Sequence, residues 1–294
     1  IAIVGQGCVL PKANDPHELW QLIVKGGSGL STAADGDWGN INPSETPLHG
    51  IGGRAKPVES NGLDPLFHWL EDALLQSKKG LPDLSAGIIM GHLSYPTRGM
   101  NRLAEQHLLD GKISDEPLNR FMSGYPVHRL AKKYQLDGSA FCLDAACASS
   151  LYAIKLACDA LHRNETKLMF AGGINAIDDL FLHSGFTELQ AISLAGHSRP
   201  FDQSADGLLP ATGVAMVALM RLQNAEQHQL PILGVIKGIG LSNDGKQGGV
   251  VSPAKAGQVR AMHQAYQSAG LLPQDIQYIE CHATGTPIGD RQEI

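Results

Sequence analysis

The sequence predicts an α/β fold in which helices cover both faces of a central sheet. Short apolar runs alternate with amphipathic segments along most of the chain. One strand–helix–strand succession, at residues 140–175, has the spacing of a parallel crossover. Its two flanking runs, residues 140–143 and 168–175, are apolar at nearly every position, as strands buried on both faces are.

The first 62 residues predict one strand, one helix and a long surface excursion. Residues 1–8 form a β-rich run that contains Gly-x-Gly, but no third glycine opens a helix after it, which argues against a dinucleotide site. Asp15 followed by Pro16 predicts a capped helix start. Residues 28–62 are rich in Gly, Ser, Asp and Pro, and we expect them to lie on the surface.

The middle of the chain continues the same alternation. A helix is predicted after Asp64 and Pro65, because its apolar residues keep helical spacing. Residues 87–91 predict a buried strand, and residues 98–135 a helical, partly polar region. Residues 213–222 predict a further strand.

Beyond these elements the sequence predicts a long insertion and three more elements. The insertion at residues 176–212 is either a functional, lid-like segment or a surface loop pinned by an Arg–Asp pair. Strands are predicted at residues 232–239 and 276–281, with a helix at 257–268 between them.

A candidate nucleophile lies in the crossover. Cys147 stands among small residues in the run Asp144–Ser150, between a predicted strand end and a predicted helix start. Small neighbours let a substrate approach, and the positive end of a helix favours a thiolate. These are the conditions for a nucleophilic cysteine. The alternative is a buried structural cysteine.

A candidate histidine ends the last predicted strand. His282 opens a loop of threonine and glycine, in which Thr284 and Thr286 offer hydroxyl donors close to the backbone. A lone histidine at a strand end is also compatible with a purely structural role. The predicted fold would therefore have two similar halves, one ending a strand at Cys147 and the other at His282.

Composition narrows the function classes. The chain has 294 residues and a formal net charge of −6, without a basic block, so nucleic acids and anionic membranes are poor partners. No apolar run is long enough to span a bilayer, and no signal peptide is visible. Five cysteines without a Cys-x-x-Cys pair indicate reduced thiols in a cytoplasmic protein and no zinc site. Since the first residue is Ile1, we expect the chain to be cut from a longer one.

These residues resemble the β-ketoacyl synthases. The cysteine run resembles the active-site turn of that family, and the run from His282 to Asp290 resembles its first histidine motif. Further matching stretches occur in the right order: Ala171–Asn175, Arg199–Asp202 with Ala205–Gly207, and Ser242–Gly245. The resemblance covers nearly the whole chain.

A narrower resemblance points to the ketosynthase domains of bacterial polyunsaturated-fatty-acid synthases and related polyketide-type synthases. It rests on Leu63–Phe67, Asp178–Phe181 and Gly185–Ala191. One departure is the run Ala211–Ala215, where the family usually has an acidic Gly-Glu-Gly-Ala-like stretch. Without that acid, the anchoring of the local loop is in doubt.

The resemblance implies a thiolase-like αβαβα layered fold, a homodimer, and an acyl carrier protein that brings substrates on phosphopantetheine. It also implies two domain halves, residues 1–222 with the nucleophile and residues 223–294 with the first histidine, the second half truncated. Cys147 would hold the acyl chain and His282 would stabilise an enolate. Thr284 and Thr286 would contact the pantetheine arm. No metal or bound redox cofactor is required, because a thioester is already activated.

The expected activity is a decarboxylative Claisen condensation with a malonyl-type thioester, within a larger multidomain synthase. The alternatives are a thiolase or cysteine acyl hydrolase, and a non-catalytic ketosynthase partner that sets chain length. The family's lysine and second histidine would lie after Ile294. We therefore expect this chain to accept an acyl group on Cys147 without completing the carbon–carbon bond.

Overall fold

The computed structural model describes residues 1–34, 37–38, 41–42, 48–57, 62–111, 116–119, 123–245 and 253–294. The chain divides into two compact units, and each is described by itself. The first unit comprises Ile1–Ser31, Gly52–Phe181 and Ala211–Val235. The second unit comprises Thr32–Ile51, Leu182–Pro210 and Ile236–Ile294.

Helices and strands succeed one another along most of the chain. The strands are β1 (Ala2–Val9), β2 (Leu30–Thr32), β3 (Ile51–Gly53), β4 (Ala86–His92), β5 (Ala140–Leu143), β6 (Leu168–Asn175), β7 (Gly213–Met220) and β8 (Gly234–Val235). The helices are α1 (Pro16–Val24), α2 (Pro65–Lys78), α3 (Arg98–Asp110), α4 (Tyr125–Lys133), α5 (Ser149–His162), α6 (Asp179–Glu188), α7 (Leu222–Gln227), α8 (Lys255–Ala269) and α9 (Pro287–Glu293). The cap predicted at Asp15 forms, since its side chain accepts a backbone N–H group at the start of α1, and Asp64 caps α2 in the same way.

A six-stranded mixed sheet organises the first unit, in the order β5-β4-β6-β7-β1-β8. β4 pairs in parallel with both β5 and β6, so the chain crosses from β5 over β4 to β6 through α5. The parallel crossover predicted from residues 140–175 is therefore confirmed. β7 returns antiparallel to β6 and to β1, which makes the sheet mixed rather than wholly parallel.

Helices cover both faces of this sheet. α2 lies against β1 and β7 and α4 against β4 and β5, while α5 lies against β4 and β6. Ile88, Met90 and Phe170 belong to the core that includes α2 and α4. Ile89 alternates to the opposite face, where α5 packs. The α/β class predicted from the sequence is confirmed.

The Gly-x-Gly of β1 serves helix packing. A Cβ on Gly5 would lie 2.0 Å from the Ser77 carbonyl oxygen, and one on Gly7 would lie 2.1 Å from that of Ala73. Both oxygens belong to α2, so the two glycines let the backbone of α2 approach β1 closely. This agrees with the sequence-based argument against a dinucleotide site.

Two predicted strands differ from the structure. Of residues 232–239, only β8 pairs, with Ala2 and Ile3 at the sheet edge. Residues 276–281 form no strand, and Tyr278 and Ile279 are exposed. A strand needs a neighbour for its backbone N–H and C=O groups, and within the described residues this segment has none.

The predicted surface excursion at residues 28–62 is described only in part. It contains β2 and β3, which pair as a small separate sheet, and the buried side chain of Trp38. Residues 35–36, 39–40, 43–47 and 58–61 of this excursion lie outside the described residues.

Candidate active site

The candidate nucleophile lies in a tight turn in the first unit. β5 ends at Leu143 and α5 begins at Ser149, so Cys147 stands two residues before the helix, where the sequence predicted it. Its side chain is exposed. The preceding residue, Ala146, has a φ of 51°, a backbone conformation that costs energy for a residue with a Cβ. The turn therefore presents the sulfur at the positive end of a 14-residue helix.

Ser149 holds this turn together, a role that sequence reasoning missed. Its hydroxyl oxygen accepts the N–H of Ala145 at 2.8 Å and donates to the carbonyl of Ala146 at 2.6 Å. Asp144 adds a second tie, because its carboxylate accepts the N–H of Ala146 at 3.0 Å. Ser149 is buried, and a hydroxyl residue at a helix start is the signal that would have identified it.

Two glycines of the sheet make room for the start of α5. A Cβ on Gly91 of β4 would lie 2.5 Å from the Ser149 carbonyl carbon. A Cβ on Gly173 of β6 would lie 3.0 Å from the Ser150 Cβ. The position of Cys147 thus depends on two strands that are distant from it in sequence.

The environments of the cysteines differ. Cys8 and Cys158 are buried, Cys142 and Cys281 are half-buried, and all five cysteines are reduced. Burial raises the pKa of the Cys8 and Cys158 thiols to about 11. Burial also raises the pKa of Cys142 to about 12. Exposure sets Cys147 apart from these protonated thiols.

The candidate histidine and threonines belong to the second unit. His282 is exposed and lies in a loop just before α9. Glu293, in the last turn of α9, reaches back to accept the backbone N–H groups of His282 and Ala283, at 2.7 and 2.9 Å. Ala283 has a φ of 48°, so this carboxylate stabilises a strained loop.

The hydroxyl groups of Thr284 and Thr286 lie together, with their oxygens 3.0 Å apart. Asp290 of α9 is buried and fixes the glycine between them, accepting the Gly285 N–H at 3.1 Å. Its other oxygen accepts the N–H of Phe201 at 2.6 Å. Sequence reasoning assigned no role to Asp290 or Glu293, although carboxylates three residues apart behind a Thr–Pro helix start could have suggested one.

The loop at residues 198–207 is pinned differently from the sequence-based expectation. Arg199 donates to the hydroxyl of Ser204 at 2.9 Å, and within the described residues it forms no ion pair with Asp202. Asp206 accepts the hydroxyl of Ser193 at 2.6 Å, and this hydrogen bond is the main cause that holds the pKa of Asp206 below its usual range. Of the two alternatives for the insertion, this part is a pinned loop, but without the Arg–Asp pair.

The run Ala211–Ala215, which lacks the acid that the family usually has, is anchored by other contacts. The N–H of Thr212 donates to the Gly53 carbonyl at 2.8 Å, and its hydroxyl accepts the Ala55 N–H at 3.2 Å. Between these residues, Arg54 forms an ion pair with Asp179 at 2.6 Å, with both side chains mostly buried. Thr212 and Asp179 together therefore hold the loop whose anchoring the sequence left in doubt.

Two further observations concern metal ligands and membrane spans. Nowhere in the described part of the chain do three histidine, cysteine or carboxylate side chains gather as metal ligands would. No helix within the described ranges is both long and apolar enough to span a bilayer.

Two family models match the chain. The model of the β-ketoacyl synthase N-terminal domain matches residues 1–71 and 56–225. The model of the β-ketoacyl synthase C-terminal domain matches residues 233–294.

Curated relatives are much longer than this chain. It is 30% identical to a mycocerosic acid synthase-like polyketide synthase of Mycobacterium tuberculosis, over 99% of the chain and 15% of the relative. It is 29% identical to pikromycin polyketide synthase component PikAIII of Streptomyces venezuelae, over 99% of the chain and 20% of the relative. The chain thus spans a fifth or less of the length of these relatives.

Solved structures agree with the family models. The PfaC keto synthase–chain length factor has a TM-score of 0.88 and 33% identity, covering 99% of this chain and 37% of that one. The oxazolomycin ketosynthase domain OzmH KS7 of Streptomyces albus JA3453 has a TM-score of 0.83 and 26% identity, covering 99% and 56%. The α/β architecture described above is accordingly the predicted thiolase-like one. The chain belongs to the β-ketoacyl synthase family of acyltransferase-type condensing enzymes.

Proposed function

We propose that this chain is a β-ketoacyl-[acyl-carrier-protein] synthase in which Cys147 is the nucleophile. The observation that carries the proposal is the exposed sulfur of Cys147 on a pinned turn at a helix start. Three of the other cysteines have thiols that burial keeps protonated. A thiolate is the reactive form, so this position suits covalent catalysis.

The first half-reaction transfers an acyl group. The Cys147 thiolate attacks an acyl thioester, the new C–S bond forms as the C–S bond to the carrier breaks, and the carrier leaves as a thiolate that takes up a proton from water. Negative charge develops on the thioester oxygen in the tetrahedral intermediate. Backbone N–H groups, that of Cys147 among them, would stabilise this charge.

The second half-reaction forms the carbon–carbon bond. A malonyl-type thioester loses CO₂, and the electron pair of the broken bond passes into an enolate. A hydrogen bond from His282 to the thioester oxygen would stabilise that enolate. The enolate carbon then attacks the acyl-cysteine, releasing the Cys147 sulfur and a β-ketoacyl product.

Thr284 and Thr286 would hold the pantetheine arm of the substrate. Their hydroxyl groups are half-buried and adjacent, and Asp290 fixes the backbone between them. Amide groups along phosphopantetheine can donate to and accept from such hydroxyls. The donor set therefore fits a carrier-bound thioester, which supplies an activated acyl group.

We propose residues 1–222 as the half that carries the nucleophile and residues 223–294 as the half that carries the histidine. We further propose an acyl carrier protein as partner, a place in a larger multidomain synthase, and a cytoplasmic location. The size of the polyketide synthase relatives supports the multidomain setting. The product class that we propose is polyunsaturated fatty acids, because Leu63–Phe67 and Gly185–Ala191 resemble stretches of the synthases that make them.

We propose a homodimer as the assembly. β5 is the edge strand of the six-stranded sheet, and its four residues are all half-buried and apolar. An edge strand presents unpaired backbone groups that a second copy could satisfy. Sedimentation of well-folded protein should give twice the monomer mass, and a single species at 31.3 kDa would contradict the proposal.

The decisive experiment follows both half-reactions by mass spectrometry. The chain is incubated with an acyl-carrier thioester, and we expect the acyl group on Cys147 and none on a Cys147→Ala variant. Malonyl-carrier is then added to the acylated full-length synthase, in which a β-ketoacyl thioester is the expected product. His282→Ala should reduce the condensation by a hundredfold or more while acylation continues.

Other products would point to the alternative functions. Release of free acid would indicate a cysteine hydrolase, and reaction of two acyl-CoA molecules without loss of CO₂ would indicate a thiolase. Absence of any acyl-Cys147 would favour a non-catalytic partner that sets chain length. Each of these results would overturn the proposed function.

A further inference from the structure

Both ring nitrogens of His49, in the second unit, form hydrogen bonds to the backbone. Its Nδ1 accepts the backbone N–H of Ile51 at 2.9 Å, because an N–H can only donate. Its Nε2 lies 2.6 Å from the carbonyl oxygen of Ser193, which can only accept, so Nε2 carries the proton. Both ring nitrogens are therefore used in one neutral tautomer, and the ring joins two segments 144 residues apart.

A second histidine also forms a hydrogen bond with Ile51, the residue whose N–H binds His49. His183 of α6 is fully buried, and its Nε2 donates to the Ile51 carbonyl at 3.2 Å. The two imidazole rings meet edge to face with centroids 6.5 Å apart, and Trp38 packs on His183 at 5.4 Å. The N–H and C=O of Ile51 are thus both bound by histidines, which fixes the place of His49.

Ser193 links His49 to the segment that contacts the loop of Thr284 and Thr286. It is fully buried, and its hydroxyl donates to Asp206 at 2.6 Å. Gly207, which follows Asp206 in the sequence, donates its N–H to the Gly285 carbonyl at 3.0 Å. A Cβ on Gly285 would lie 2.9 Å from the Gly207 oxygen, so the two backbones are in close contact.

We propose that His49 is a positioning residue for the loop of Thr284 and Thr286, acting through Ser193 and Gly207. The hydrogen bonds are linked through Ser193 and through the Asp206–Gly207 peptide within the second unit, and both Ser193 and Gly207 are buried. His49 itself touches no reacting group in this scheme. Its effect on substrate rests on the proposed pantetheine role of the two threonines.

The primary test measures backbone amide hydrogen exchange, which does not depend on the proposed activity. In His49→Ala, exchange of the Gly207 amide should rise by roughly tenfold, because the variant loses the two hydrogen bonds that join His49 to Ile51 and to Ser193. Ser193→Ala keeps the contacts of His49 but removes the hydroxyl that donates to Asp206 and accepts the His197 N–H, and it should give the same increase. His49→Asn, whose side-chain oxygen can replace Nδ1 as acceptor, should restore part of the protection.

His17→Ala is the matched control, since His17 is an exposed histidine of α1. Unchanged exchange of Gly207 in a folded His49→Ala protein would overturn the proposal. Should that variant not fold, Ser193→Ala decides: unchanged exchange there refutes the hydrogen-bonded link. An equal increase in the His17→Ala control would also refute it.

A kinetic test adds the functional consequence. In the condensation reaction of the full-length synthase, the KM for a malonyl-pantetheine thioester should rise by about tenfold in His49→Ala. Labelling of Cys147 by iodoacetamide, which involves no pantetheine, should keep its wild-type rate. If the wild-type chain forms no acyl-Cys147, the proposed function fails, while the exchange experiment still tests the hydrogen-bonded link from His49 to Gly207. A His49→Ala protein with increased exchange but unchanged KM would overturn the link to substrate.

Discussion

Replacing Gly91 of β4 by alanine should displace the nucleophile turn, because the new Cβ would point at the start of α5. The new Cβ would lie 2.5 Å from the Ser149 carbonyl carbon and 2.6 Å from its Cβ. Ordinary contact begins near 3.4 Å, so the start of α5 or strand β4 must move by about 0.9 Å. The atoms that it would meet are mostly backbone, which cannot rotate away as a flexible side chain can.

Two effects should follow from this movement. Overpacking of this kind costs about 1–3 kcal/mol in the free energy of unfolding. Displacement of a reacting group by about 1 Å costs on the order of a hundredfold in rate, so acylation of Cys147 should slow by tenfold to a hundredfold. We would measure unfolding in urea and the rate of acyl transfer to Cys147 on the same preparation.

Gly185→Ala is the matched control. Gly185 lies within α6 and a Cβ there meets no atom within 4 Å. Alanine is favoured over glycine in a helix by about 1 kcal/mol, so this variant should be as stable as wild type or more stable. Equal acylation rates and equal stabilities for the two variants would refute the reasoning that Gly91 sets the position of the turn.

Three other predictions concern reactivity, loop anchoring and pH. With limiting iodoacetamide near pH 8, Cys147 should be labelled first, ahead of the three cysteines with raised pKa, as peptide mass mapping can show. Asp179→Asn should lower the free energy of unfolding by about 2 kcal/mol, because it leaves a mostly buried arginine without its ion pair. Burial and a hydrogen bond to a glutamate raise the pKa of Tyr134 from 10.0 to about 12, so its contribution to stability should be complete below pH 10 and lost as the pH rises toward 12.

Each of these predictions has a control. Labelling of Cys281 before Cys147 would contradict the first. For the second, Asp159→Asn removes an ion pair of α5 whose side chains are about twice as exposed, and this should cost under about 1 kcal/mol; an equal loss in both variants would contradict the prediction. For the third, Tyr134→Phe should flatten the alkaline part of the stability curve, and an unchanged curve would show that another group titrates there.

The elements that sequence reasoning identified correctly share a local cause. The start of α2 follows from Asp64 and Pro65, whose capping and fixed φ act within one turn. β4 follows from its own apolar run, and all seven of its residues are buried. Errors occurred where a partner was needed: residues 276–281 have an apolar pattern, but pairing decides whether such a run becomes a strand.

The candidate site shows the same division. The motif around Cys147 predicted a strand, a turn and a helix start, because small residues and periodicity act locally. The hydrogen bonds of Ser149 and the clearance at Gly91 required the folded chain, since they depend on which backbone atoms come within a few ångströms. Asp290 and Glu293 similarly gained a role only when α9 folded back onto its own loop.

By itself, the sequence determined the α/β class, the placement of Cys147 between a strand and a helix, and the membership in a family of condensing enzymes. Tertiary structure alone decided that β7 runs antiparallel to β6, and that Thr212 and Asp179 anchor the loop without the usual acid. It also decided that His49 reaches Ser193. The physical reason is range: periodicity and caps act over a few residues, whereas strand order, ion pairs and close packing join residues more than a hundred positions apart.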